Sequence, residues 1–162
     1  MNTIRKIAFA LAVVLCSFLT TPAQGLKVTS VSPDLKVRVT KCEATGSTVL
    51  ITLTLENTSS RDVPFQLCGG YDDHTVIIDD EGNKYSVARV LVKIGNDYYN
   101  SLYVNGTLYS EVPVKVTYKI SDVPESATSF RRLNLWFNSN EWSIYDEHIK
   151  ISNLPIYREG DD

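Results

Sequence analysis

Two long runs alternate between apolar residues and a second, wetter set. Val49, Ile51, Leu53 and Leu55 interleave with Leu50, Thr52, Thr54 and Glu56, and Val112, Val114, Val116, Tyr118 and Ile120 interleave with Pro113, Lys115, Thr117 and Lys119. Successive side chains of a β-strand point to opposite faces, so a period of two gives one face to a core and one to water. No stretch of ten or more residues carries a convincing 3.6 period, which leaves strands to bury the apolar residues. Residues 130–137 (FRRLNLWF) put Leu133, Leu135 and Phe137 on one face. Residues 75–79 (TVIID), 85–94 (YSVARVLVKI) and 143–152 (SIYDEHIKIS) read as further strands.

Turn chemistry separates these runs. Ala44-Thr45-Gly46-Ser47 reads as a hairpin, and residues 79–83 (DDEGN) as a second tight turn in which Gly82 or Asn83 takes positive φ. Residues 57–62 and 121–129 are polar loops, and Asn105-Gly106 marks a further turn. Eight or nine short strands at this spacing predict an all-β chain, an antiparallel β-sandwich. Its inner face would hold Val37, Val39, Val49, Ile51, Leu53, Leu55, Phe65, Leu67, Ile77, Val114, Val116, Tyr118, Leu133, Leu135 and Phe137. A barrel of similar strand count satisfies the same periodicity.

The start of the chain has the three-part pattern of an export signal. Arg5 and Lys6 precede an uncharged run, residues 7–19, and small residues follow at Thr21, Ala23 and Gly25. The run is shorter than the roughly 20 residues a membrane span needs. The reading is therefore signal peptide 1–25, sandwich domain 26–157 and a frayed charged tail 158–162, with no membrane span once the signal is removed. A mature protein of this kind is periplasmic or extracellular. Cys16 lies in the signal, and the bulky Leu15 before it argues against lipidation. Cys42 and Cys68 remain. In an oxidising compartment a pair is read as a disulfide. Both residues fall opposite the apolar sets of their runs, so a bond between them would tie neighbouring segments outside the core.

The formal charge is −3, from 16 Lys and Arg against 19 Asp and Glu. This disfavours a nucleic-acid binder held by net positive charge. Catalytic signatures are missing: the chain has two histidines, His74 and His148, no Gly-x-Ser-x-Gly and no His-Glu-x-x-His. A Cys68/His74 thiol pair would need Cys68 free and ionised. Asp72, Asp73, Asp79, Asp80 and Glu81 crowd ten residues and are the oxygen ligands calcium would take, the one cofactor to consider, although no EF-hand loop is present. Tyr98, Tyr99, Tyr103 and Tyr109 lie close in sequence among asparagines, a composition suited to recognition. Trp136 falls opposite Leu135 and Phe137 and is expected to be exposed beside them.

An ordered set of segments goes further. A long strand ends in Glu56-Asn57-Thr58. Asp80-Glu81-Gly82-Asn83-Lys84-Tyr85 follows, then Gly106-Thr107-Leu108, then residues 112–120 (VPVKVTYKI) and Asp122-Val123-Pro124-Glu125. Over about residues 27–155 this resembles the telokin-like, immunoglobulin-like secreted domains grouped as the domain of unknown function 4352, in exported proteins like those of gut Bacteroidetes. Residues 108–111 (LYSE) depart from the Pro-Gly pair usual there. The resemblance implies an immunoglobulin-like sandwich in an extracytoplasmic setting and no reaction. The resulting expectation is a non-enzymatic module that binds an envelope protein or glycan. The alternatives are a structural envelope protein without a dedicated ligand and a calcium-dependent module.

Overall fold

A computed structural model describes residues 25–159. The expected export signal with Arg5, Lys6 and Cys16, and the last residues of the tail, lie outside the described residues. Twelve strands follow one another: β1 (Lys27–Thr29), β2 (Leu35–Thr45), β3 (Thr48–Asn57), β4 (Val63–Cys68), β5 (Val76–Asp79), β6 (Lys84–Tyr85), β7 (Val90–Ile94), β8 (Tyr103–Leu108), β9 (Val114–Ile120), β10 (Ser129–Ser139), β11 (Ile144–Pro155) and β12 (Tyr157–Arg158). They form two sheets. The larger runs β1-β11-β10-β4-β8, with β5 beside β10 and β6 beside β5; the smaller runs β12-β2-β3-β9-β7. This is an immunoglobulin-like β-sandwich. Its ladders are antiparallel except for β12, which runs parallel to β2.

The alternating runs behave as their period requires. Val49, Ile51, Leu53 and Leu55 of β3, Val116, Tyr118 and Ile120 of β9, and Leu133, Leu135 and Phe137 of β10 are all buried in one core between the sheets. Val37, Val39 and Val114 pack against its rim, partly buried. The β2–β3 hairpin turns at Gly46 (φ +56°) and the β5–β6 turn at Gly82 (φ +88°), the left-handed conformation that glycine adopts without steric cost.

The turn expected at Asn105-Gly106 is strand instead, both residues lying inside β8 opposite Gln66 and Phe65 of β4. Three further expectations are corrected. Residues 85–94 are not one strand. Tyr85 ends β6 in the larger sheet, the chain crosses through Val87 (φ +51°), and β7 joins the smaller sheet. Arg158 does not begin a loose tail, because its guanidinium donates to the carbonyls of Gly46, Pro124 and Ala127 at 3.1, 2.8 and 3.3 Å.

The third correction is the disulfide: Cys42 and Cys68 are free thiols, both buried. In β2 the register with β3 slips by one residue between Val39 and Lys41. That bulge reverses the facing of everything after it. Cys42 and Ala44 consequently turn into the core, where the unbroken alternation of Val37 and Val39 would have put them outside. Cys68 keeps its outer parity but is roofed by the following turn, its sulfur 3.9 Å from the carbonyls of Tyr71 and Ser101. Cys42, Ile51, Tyr118 and Val92 stand in one row across four strands, so the β7 edge lies about 14 Å from Cys42 at normal strand spacing. Gly69, next to Cys68, packs against that β7 edge at Val90. A disulfide needs its Cα atoms within about 7 Å. Burial pushes the Cys42 thiol up to about 12 and the Cys68 thiol up to about 11, so neither is a ready nucleophile.

Candidate functional site

On the outer face of the larger sheet, four aromatic rings from separate parts of the chain meet. Trp136 projects outward from β10, as its parity requires, yet is only 6% exposed. Two rings cover it. Tyr103 of β8 lies with its centroid 5.3 Å from the indole, and His74 lies 5.2 Å away. Tyr71 stands edge-on to Tyr103 at 6.1 Å. Tyr71 and Tyr103 remain 45% and 39% exposed. The expectation of an exposed Trp136 is thus corrected: the indole is the floor of the group, and the tyrosines are its accessible surface.

The backbone that carries His74 is fixed from below. β4 ends at Cys68 and β5 begins at Val76, and both border β10. In the gap the fully buried Thr75 hydroxyl accepts from the Trp136 N–H at 3.1 Å and donates to the Cys68 carbonyl at 2.7 Å. It thereby replaces a missing rung of the ladder. Between the two strands runs a short 3-10 turn, Tyr71–Asp73, with Asp72 and Asp73 at φ +51° and +58°. This turn presents Tyr71 and His74 over the sheet.

Polar groups surround the rings. The Tyr103 hydroxyl and His74 Nε2 are 2.8 Å apart. Partial removal from water, with Cys68, Tyr71, Asp72 and Asp146 nearby, raises the Tyr103 hydroxyl above the ordinary phenol range. His74 Nδ1 faces the Asp146 carboxylate at 3.8 Å, so each ring nitrogen has a polar neighbour and the imidazole tautomer sets which partner donates. The same Asp146 oxygen accepts from the indole Nε1–H at 2.7 Å. Asp146 is itself in the left-handed region (φ +54°), beside a register shift between β10 and β11. His148 of β11 bonds the His74 carbonyl through Nε2 at 2.9 Å. The result is an aromatic platform with a carboxylate and an imidazole at its edge. It can stack against a flat apolar face and hydrogen-bond to groups around that face.

The four tyrosines expected to act together are not together. Tyr103 belongs to this platform. Tyr99 lies across the outer face of the smaller sheet, with Lys93 Nζ 4.9 Å and Lys119 Nζ 5.9 Å from its ring. Tyr98 is 95% exposed in the loop before β8, and Tyr109 is 54% exposed just after β8. Tyr71 and His74 were not expected at a binding surface. The contact of His74 with Trp136, 62 residues later in sequence, and of Tyr71 with Tyr103 places them there, and no local pattern signals it.

The five crowded acids are also dispersed. Asp79, 1% exposed, accepts from the backbone N–H of Glu81 and Asn83, the Asn83 side chain and the Tyr85 hydroxyl at 2.7–3.0 Å. Asp80 accepts from the backbone and hydroxyl of Thr128. Asp73 pairs with Lys84 at 2.8 Å. Among the described residues no three His, Cys, Asp or Glu side chains form a group that could hold a metal ion.

No family model matches the chain, and no curated protein matches it. Of the expected resemblance, the immunoglobulin-like sandwich stands, while the domain of unknown function 4352 and a Bacteroidetes source find no support. Solved structures to which the chain is similar include the ASH or PapD-like domain 7 of human CEP192, 13% identical over 100% of this chain and 99% of that one, with a TM-score of 0.42. A family 123 glycoside hydrolase from Clostridium perfringens is 10% identical over 72% of this chain but only 22% of its own, with a TM-score of 0.40. The CBM3a-L domain of scaffoldin cipA from the cellulosome of Clostridium thermocellum is 16% identical over 82% of this chain and 94% of that one, with a TM-score of 0.29. At these values none of the three carries an argument about function.

Proposed function

We propose that this chain is an exported, non-enzymatic binding module, and that it engages a glycan or protein of the cell envelope through the Tyr71–Tyr103 surface. One observation carries the reading: half-exposed Tyr103 packs on a buried tryptophan and half-exposed Tyr71 stands edge-on to Tyr103, with Asp146 and His74 at their margin. Exposed rings that need no reordering on binding are the economical way to gain contact area. Sugars present a flat face of C–H groups ringed by hydroxyls, which matches rings bordered by a carboxylate and an imidazole. The basic n-region and uncharged run of residues 1–25 support export. An extracellular or periplasmic module of the type grouped as domain of unknown function 4352 would meet such partners.

The test is titration of the secreted protein with envelope polysaccharide fractions and displayed proteins, followed by Trp136 fluorescence and calorimetry. Tyr71→Ala together with Tyr103→Ala should weaken binding more than tenfold. Tyr98→Ala with Tyr109→Ala, away from the platform, should leave it unchanged. Equal loss in the two double variants, or loss in neither, would move the site elsewhere.

A further inference from the structure

The opposite face of the sandwich has a different chemistry. The outward positions of the smaller sheet hold Lys36, Arg38 and Lys41 of β2, Lys93 of β7, and Lys115 and Lys119 of β9. Beyond Glu159, which lines a depression with Glu43 at the β12 edge, the acids on this face among the described residues are Glu56 and Glu43. They are taken by Lys36 and Lys41, each at 3.1 Å. Arg38, Lys93, Lys115 and Lys119 have no ion-pair partner among the described residues. Four unneutralised cations thus sit on one sheet face of a chain whose formal charge is −3.

The face is shaped as well as charged. A shallow depression lies between Lys41, Leu50, Lys93, Tyr99 and Lys115, with the Lys41-paired Glu43 also on its lining. Lys93 and Lys119 both reach over the Tyr99 ring, and Leu50 is 40% exposed in the floor. The Thr117 hydroxyl lies beneath this surface, buried and without a hydrogen-bond partner. Cations gathered about a ring suit a polymer that offers both anionic groups and sugar surface. The charge density of a nucleic acid would need a wider basic footprint and would be repelled by the acidic remainder.

We propose that the outer face of the smaller sheet binds an acidic polysaccharide, one bearing sulfate or carboxylate groups, with Lys93, Lys115 and Lys119 as the anion contacts and Tyr99 as the stacking ring. This surface is separate from the Tyr71–Tyr103 platform and stands or falls independently of it.

Dextran sulfate and polygalacturonate serve as probes, with neutral dextran as control, on the full secreted chain. Wild type should bind both acidic polymers, ignore dextran, and lose affinity steadily as salt rises. Lys93→Glu/Lys115→Glu/Lys119→Glu should lower affinity roughly tenfold or more and flatten the salt dependence. Lys27→Glu/Arg132→Glu/Lys150→Glu changes net charge equally and should bind as wild type. The thermal midpoint and the circular dichroism of each variant establish that the fold persists, and Tyr71→Ala/Tyr103→Ala should bind the acidic polymers normally. Three results would overturn the proposal: no binding of either acidic polymer, equal loss in the two charge-reversal variants, or tighter capture of duplex DNA or phosphatidylglycerol vesicles by the same lysines.

Discussion

Thr75 shows how much one side chain can hold. Its hydroxyl is the sole bridge where β4 and β5 leave a gap against β10, and both of its partners are backbone groups in a dry environment. Thr75→Val keeps the shape but orphans the Trp136 N–H and the Cys68 carbonyl. The loss should be about 2–3 kcal/mol of folding stability in urea titration, with a larger proportional loss of order around His74. A cost near zero would mean that water replaces the hydroxyl. The cysteines give a second residue-scale expectation. Two buried thiols pushed up to about 12 and about 11 should resist iodoacetamide in the folded protein and react fully once it is denatured. Reductant should leave the melting temperature unchanged. A mass two hydrogens light, or a lower midpoint in reductant, would instead show the Cys42–Cys68 bond. The facing of Trp136 was legible from its parity with Leu135 and Phe137; its burial was not, because His74 covers it from a distant loop. Cys42 was misread for the opposite reason, since an inserted residue at the β2 bulge leaves no mark on local composition.

Strands and turns followed local chemistry most closely. The two glycine turns, the β3 and β9 faces and the long β10 were all legible, because each is decided by neighbours two or four residues away. The crossing between β6 and β7 was not, because 85–94 is uniformly strand-like in composition while its two halves belong to different sheets. Tertiary pairing overrides propensity there: the Gly70 carbonyl accepts from the Val87 N–H, and Val90 and Val92 pair with Ile120 and Tyr118. The crossing is made by a β-branched residue at φ +51° with its side chain 56% exposed. A left-handed conformation costs an L-residue about 1–2 kcal/mol, against about 0.5–1 kcal/mol of extra entropy for glycine. Val87→Gly should therefore stabilise the protein by about 0.5–1 kcal/mol, measured by chemical denaturation. Destabilisation would show that the Val87 side chain contributes packing that its exposure conceals.

At the scale of the whole molecule, the larger sheet is closed at one end by two carboxylates. Asp79 ties the β5–β6 turn to itself and to Tyr85, and Asp80 ties that turn to Thr128 in the loop leading into β10. Burial acts to raise both carboxyls. The donors that surround them outweigh it, namely Asn83, Tyr85 and backbone N–H groups for Asp79 and Thr128 with backbone N–H groups for Asp80, so both are held below the ordinary carboxylate range. A carboxylate whose folded pKa is depressed binds fewer protons in the folded state. Its contribution is complete above the unfolded value of about 4 and disappears as pH falls through the folded value. Folding stability in urea should thus be level from neutral pH down to about 5 and decline below about 4. Asp79→Asn/Asp80→Asn should be less stable at neutral pH, by about 2–4 kcal/mol for the hydrogen bonds lost, and its stability should depend less on pH in the acid range. Because the turn, the Thr128 loop and β10 belong to one sheet with a shared core, the decline should be a single transition, with the same midpoint by Trp fluorescence and by circular dichroism. Two separated transitions would mean that the acid end of the sheet opens on its own, leaving the platform over Trp136 in place.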